Sequence, residues 1–141
     1  MINDGLKMTG AVAIALNGEV VQEIPNLVVT AGKNFVASRM KDTTKAAMTH
    51  MAIGTNNTSA AAGQTALSSE AARGALTSTT VSTNTIAYVE TFAAGTGTGA
   101  IVEAGVFNAS SGGTMLCRTI FAVVNKGSAD AMTITWTITV S

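Results

Sequence analysis

The chain closes on Ala131-Met-Thr-Ile-Thr-Trp-Thr-Ile-Thr-Val-Ser141, and this run limits the fold more than any other segment does. Met132, Ile134, Trp136, Ile138 and Val140 fall on one face and threonines on the other, a period of two that no helix can present. Its β-branched and aromatic side chains are the types that pack on a pleated surface. The segment therefore predicts a strand with one face buried and the other wet, and a C-terminus tied into a sheet.

The rest of the chain supplies the partners such a strand needs. Residues 7–16 are rich in Thr, Ala, Val and Ile, and Asn17-Gly18 precedes Glu19 to Ile24, the pattern of a hairpin with a type I′ turn ended by Pro25. After Leu27-Val28-Val29, Thr30 is placed to cap a short helix through Phe35, Val36, Arg39 and Met40, its apolar members spaced for one face. Met48 to Gly54 reads as a strand, and Thr55 to Gln64 as a long surface loop of small residues without periodicity. Thr65 is expected to cap a second helix, with Leu67 and Ala71 inward, Glu70 and Arg73 paired outward, and Gly74 as its stop. Strands follow at Leu76 to Ser82, Thr85 to Ala93, Ile101 to Asn108 and Met115 to Val124, with turns at Thr83-Asn84, Gly95 to Gly99, Ser110 to Gly113 and Asn125 to Gly127. Strands and turns at this spacing predict one all-β domain over residues 1–141, a jelly-roll-like antiparallel β-sandwich with one or two short edge helices.

Charge limits the function classes. With 8 Lys+Arg against 8 Asp+Glu the formal net charge is zero, and charged residues are 11% of the chain, against about 25% in ordinary soluble domains. A nucleic-acid surface needs a basic patch, and this balance does not provide one. Little charge is left to keep copies apart, so self-association or docking on a large partner is expected. No apolar stretch reaches the ~18–20 residues of a membrane helix. Asp4 stands where a signal peptide would carry positive charge, so no export signal is read.

Each candidate for chemistry has a structural reading that fits better. His50 is the sole histidine, so a metal site or a Ser-His-Asp triad would have to draw every other member from elsewhere; a hydrogen-bonded strand histidine is expected. Gly95-Thr-Gly-Thr-Gly99 resembles a dinucleotide fingerprint, yet a strand follows where that motif needs a helix. Glu90 and Glu103 are the nearest thing to a carboxylate pair, on strands expected to be neighbours, but a glycosidase cleft would also need exposed aromatics. Tyr88 and Trp136 lie on apolar strand faces. The sequons at Asn56, Asn57 and Asn108 mark loops, and Cys117 reads as a small buried hydrophobe. Lys33, Arg39, Lys41 and Lys45, with Asp42 the one acid among them, admit docking on an acidic partner surface or a solvated helix face, and their spread over thirteen positions makes a weak cluster. No enzyme activity, metal or cofactor is expected.

Three phrases carry a resemblance. Met48-Thr-His-Met-Ala-Ile-Gly-Thr-Asn56, Gln64-Thr-Ala-Leu-Ser-Ser-Glu-Ala-Ala-Arg73 and Glu103-Ala-Gly-Val-Phe-Asn-Ala-Ser-Ser-Gly-Gly-Thr-Met-Leu-Cys-Arg118 are similar to small virion proteins of tailed bacteriophages. The likeness extends over residues 27–141 and is nearest to the capsid cement (decoration) proteins of the Bordetella podophage type. It implies a jelly-roll-like subunit that self-associates, a dimer being favoured and a trimer possible. It also implies a place on the outer surface of the capsid, assembled in the bacterial host cytoplasm, where the subunit bridges neighbouring major capsid proteins.

A cement protein works through interface residues. Unpatterned segments on a rigid sandwich are where contacts usually form, which nominates the arm Met1, Ile2, Asn3, Asp4 to Lys7 and the loop Thr55, Asn56, Asn57 to Gln64. The alternative is a tail-fibre, baseplate or receptor-binding module. Such modules usually carry a shaft or trimerising stalk, and none is read in these 141 residues.

Overall fold

In a computed structural model, which describes residues 5–41 and 45–141, the chain forms ten strands and one helix. In chain order these are β1 (Met8–Leu16), β2 (Glu19–Pro25), β3 (Leu27–Val28), α1 (Thr30–Lys41), β4 (His50–Gly54), β5 (Glu70–Ala75), β6 (Ser78–Ser82), β7 (Thr85–Phe92), β8 (Gly99–Phe107), β9 (Met115–Lys126) and β10 (Met132–Val140). They build two antiparallel five-stranded sheets, ordered β2-β1-β10-β7-β6 and β3-β9-β8-β4-β5. The expected sandwich is thus present. It is jelly-roll-like in its wrapping, since the β1–β2 hairpin pairs with β10 in the first sheet while the next strand, β3, crosses to the second sheet and pairs there with β9, the strand before β10.

The closing strand is the centre of the first sheet. Met132, Ile134, Trp136 and Ile138 are buried between the sheets, and Thr133, Thr135, Thr137 and Thr139 face outward. Trp136 lies between Val12 on β1 and Tyr88 on β7. Burial pushes the Tyr88 hydroxyl up to about 12, helped by the nearby Cys117. Lys7 and Ser141 exchange both backbone hydrogen bonds, which carries the β1–β10 ladder to the chain end. The β1–β2 turn has Asn17 at φ 52° and Gly18 at φ 84°, as a type I′ turn requires.

The second sheet is built differently. It is buried on both faces, so β4, β8 and much of β9 read as continuous apolar runs rather than alternations. Its inner face meets the first sheet through Met51, Ile53, Ile101, Ala104 and Val106. Its outer face holds a second cluster, Val29, Ala52, Leu67, Phe107 and Met115. The cover over that face is the segment between β4 and β5, together with α1. Gly32 lets α1 settle on β9, because a Cβ there would stand 2.0 Å from the Leu116 carbonyl oxygen.

Three local expectations are corrected. The helix expected from Thr65 to Gly74 is absent: Leu67 is buried in a loop and residues 70–75 form β5, paired with β4. Between Ile53 and Gly54 the register slips, leaving Ala71 as an extra residue. That bulge restores Glu70 and Arg73 to the same side of the strand, where they form a bidentate ion pair with contacts of 2.7 and 3.0 Å. A helical i,i+3 signature was therefore produced by a bulged strand. In α1 the residue whose carbonyl accepts the first helical bond is Val29, so Thr30 is the first helical residue and not the cap, and Met40 points away from the core at 83% exposure. Finally, β9 runs on through Lys126, whose buried ammonium donates to the Ala93 and Asp130 carbonyls; the turn falls at Gly127 to Asp130.

Two stability predictions follow from this packing. Trp136→Ala leaves a large void between the sheets and should cost about 3–5 kcal/mol, read as a lowered urea midpoint with an unchanged slope. Thr83, at the β6–β7 turn, sits at φ 51°, a region unfavourable for a β-branched residue and open to asparagine. Thr83→Asn should raise stability by about 0.5–1 kcal/mol, and a lower melting temperature would contradict that.

Candidate functional site

The most highly organised polar group in the protein lies on the outer face of the second sheet. Glu103 on β8 and Arg118 on β9 are both fully buried, and they form an ion pair at 3.0 Å. The register of β8 against β9 shifts between Ile101 and Glu103. As a result Ala104 and Val106 turn to the inner core, while Glu103 and Phe107 turn to the covering segment. Gly54, opposite Glu103 on β4, leaves the room this requires, since a Cβ there would stand 2.6 Å from the carboxylate.

The pair organises the fifteen residues between Gly54 and Glu70. Glu103 accepts hydrogen bonds from the backbone N–H groups of Asn56 (3.0 Å), Ser68 (3.1 Å) and Ser69 (3.0 Å), as well as from two guanidinium nitrogens of Arg118. Arg118 uses its remaining nitrogen on the Thr58 carbonyl and the Gln64 side-chain oxygen. Gln64 in turn accepts from the Ala61 N–H and donates to the Ser59 carbonyl. Thr30 at the start of α1 donates to the Ala62 carbonyl, which ties loop to helix. A buried ion pair is costly to desolvate unless its remaining hydrogen-bonding capacity is filled. Here the loop backbone fills it.

A second arginine clamps the neighbouring turn. Arg73 lies over the Phe107 ring at 3.8 Å, pairs with Glu70, and donates to the Ala109 and Gly112 carbonyls. Asn108 completes the turn, accepting from the Thr114 N–H and donating to the Ala46 carbonyl.

The nominated contact residues fall into three groups. Met1, Ile2, Asn3 and Asp4 lie outside the described residues. Lys7, Thr55 and Asn57 are exposed, with Lys7 beside a shallow groove it shares with Leu6 and Lys33. Asn56 and Gln64 are half-buried and serve the loop itself: the Asn56 side chain accepts from the Thr58 N–H and Gln64 faces Arg118. The loop is therefore bound down on the sheet instead of projecting from it.

Glu90 and Glu103 do not form a pair. They lie on successive strands in the chain, but β7 and β8 belong to opposite sheets. Glu90 is buried and accepts from the Thr77 hydroxyl and the Thr91 N–H. His50 is half-buried, with Nδ1 2.7 Å from the Thr49 hydroxyl. Cys117 is fully buried opposite Val106, and burial pushes its thiol far above the ordinary range. Among the described residues no cluster of three or more His, Cys, Asp or Glu side chains could hold a metal ion. The glycine run Gly95 to Gly99 leads into β8, with positive φ at Gly95, Gly97 and Gly99. Among the described residues no helix is long and apolar enough to cross a membrane.

The sequence pattern missed the Glu103–Arg118 group as a unit. Its signal was a charge within each of two continuous apolar runs, Ile101 to Phe107 and Met115 to Phe121. Comparison of the chain with family models, curated proteins and solved structures finds no match.

Removing Arg118 strands a buried carboxylate, so Arg118→Met should cost about 3–5 kcal/mol. Gln64→Ala, which removes one partner of the guanidinium and two loop bonds, should cost less, about 1–3 kcal/mol. Hydrogen exchange should then quicken first at Asn56, Ser68 and Ser69. Unchanged protection at these three amides in Arg118→Met would refute the role given to the pair.

Proposed function

We propose that this protein is a structural protein of a tailed-phage virion, a capsid cement that binds the outside of the assembled capsid and bridges neighbouring major capsid proteins. It acts by adhesion and not as an enzyme, and it associates with copies of itself. The resemblance of its 48–56, 64–73 and 103–118 phrases is the starting point. Those phrases contain Gln64, Arg73, Glu103, Asn108 and Arg118, the residues that lock the loops onto the second sheet. A subunit that shares the load of a pressurised shell benefits from loops that do not yield.

The observation that carries the reading is the outer face of the first sheet. Across β1, β10, β7 and β6 its outward residues are Ala, Thr, Val and Ser, as in the rows Ala11–Thr137–Ala87–Thr80 and Ala13–Thr135–Val89–Ser78. None of these is charged, and Glu23 on β2 stands at the border. Charged side chains normally occupy the wet face of an antiparallel sheet. A sheet face without them can dock on a broad surface without desolvating ions, and its hydroxyls offer both donors and acceptors. Many weak copies on a lattice then hold together through multivalency.

Particles stripped of the protein should release DNA at lower temperature or under milder osmotic shock, and adding it back should restore the threshold. The double variant Thr135→Glu/Thr137→Glu should bind stripped particles about tenfold more weakly, equivalent to 1.4 kcal/mol, while keeping its circular dichroism spectrum. Labelled antibody that decorates only the tail and leaves the head bare would overturn the capsid reading in favour of a tail module.

A further inference from the structure

The edge of a sheet offers unpaired backbone N–H and C=O groups to any passing strand, and proteins shield it with charges, proline, bulges, short strands or a covering element. Two five-stranded sheets have four edges, and three of these are shielded. β2 carries Glu19, Glu23 and Pro25, and its pairing with β1 slips between Ile14 and Ala15. β3 is two residues long and leads into α1, which packs on β9. β5 has the Ala71 bulge and the Glu70–Arg73 ion pair. The fourth edge, β6, is Ser78-Thr-Thr-Val-Ser82, with no charge, no proline, no slip against β7 and every residue exposed.

An apolar shelf adjoins this edge. Val81 stands opposite Ile86 and so lies on the core side of its sheet. The second sheet does not reach over it, because its edge strand β5 lies against β7. Val81 is left 70% exposed and Val140 36% exposed, and with Ile86 and Ile138 they line a shallow groove of about 360 Å³.

We infer that β6 pairs antiparallel with β6 of a second copy, about a two-fold axis through Thr80, to give one continuous ten-stranded sheet. This rests on the self-association within the proposed function and names its surface. An antiparallel strand is its own complement under a two-fold axis, so Thr79 of one copy meets Val81 of the other and the reverse. No like charges meet, because β6 has none. The two Val81 side chains lie diagonally across the axis on one side of the sheet, which sets each shelf against the other. A bare extended peptide could fill the edge but would bring no second shelf. The pairing also joins the uncharged outer faces of two copies into one surface.

The test uses the full-length chain in solution. Light scattering and sedimentation should show a dimer. Val81→Lys should shift it to monomer with its far-UV circular dichroism spectrum kept, because residue 81 is exposed in the single subunit, and Val20→Lys on the β2 edge should leave the dimer intact. Thr80→Cys should form an intermolecular disulfide under oxidising conditions, since opposed Cα atoms in an antiparallel pair lie about 4.5–5.5 Å apart; Cys117 is buried and does not compete. A monomeric wild type overturns the inference, as does a Val81→Lys dimer as tight as wild type. A monomer that still coats stripped particles would sink the pairing and leave the capsid reading standing. A β6-paired dimer found only on tails would do the reverse.

Discussion

The Glu103–Arg118 pair is the interaction on which the rest of the second sheet depends. Two full charges stand where neither reaches water, and in such a place an unmet hydrogen-bonding group costs more than the pair itself gains. The carboxylate is completed by three backbone N–H groups of the covering loop and the guanidinium by a carbonyl and an amide oxygen of the same loop. The pair and the loop therefore require each other. Without the pair the loop loses five of its hydrogen bonds to the sheet, and without the loop the pair loses the groups that complete it. The Val29, Ala52, Leu67, Phe107 and Met115 cluster under the loop adds apolar burial to the same closure.

The two sheets were unequally legible in the sequence for a physical reason. β10 has one buried face and one outward face, so its residues had to alternate, and which of them are buried follows from the alternation; its partners β1 and β7 do not. The Asn17-Gly18 turn was equally plain, because positive φ at both positions admits few other residues. β4, β8 and β9 are covered on both sides and need not alternate. Their faces could not be assigned by period, and the bulges that decide them are invisible to it. Residues 65–74 show the sharpest failure. Leu67, Ala71 and the Glu70–Arg73 spacing suit a helix, and an extra residue in a strand produces the same Glu–Arg proximity.

The candidate site was legible in its parts only. Gln64, Arg73, Glu103 and Arg118 all lay within the phrases that carry the resemblance, but a pairing fifteen residues apart across a hairpin has no local signature. Glu103 was weighed against Glu90 because both are acids on successive strands, whereas the chain crosses from one sheet to the other between them. The loop from Thr55 was legible as a loop, and its lack of pattern suggested a projecting segment. Its order comes largely from backbone groups, which every residue has and which leave no trace in composition, and Gln64 adds a side-chain bond to Arg118.

The same asymmetry divides the surface. One face of the second sheet is the inner core and the other is closed by loop and helix, so that sheet presents little of itself outward. The first sheet has an open outer face, without charge across β1, β10, β7 and β6 and with Glu23 of β2 at its border, and an edge at β6 without shielding. An open antiparallel sheet face in water ordinarily tolerates charge at no cost to the core, so a face without charge is not imposed by folding. The shields on β2, β3 and β5 show that this chain has the means to close an edge. Folding alone accounts for the covered sheet, and the bare one is the surface that the proposed docking and self-association would use.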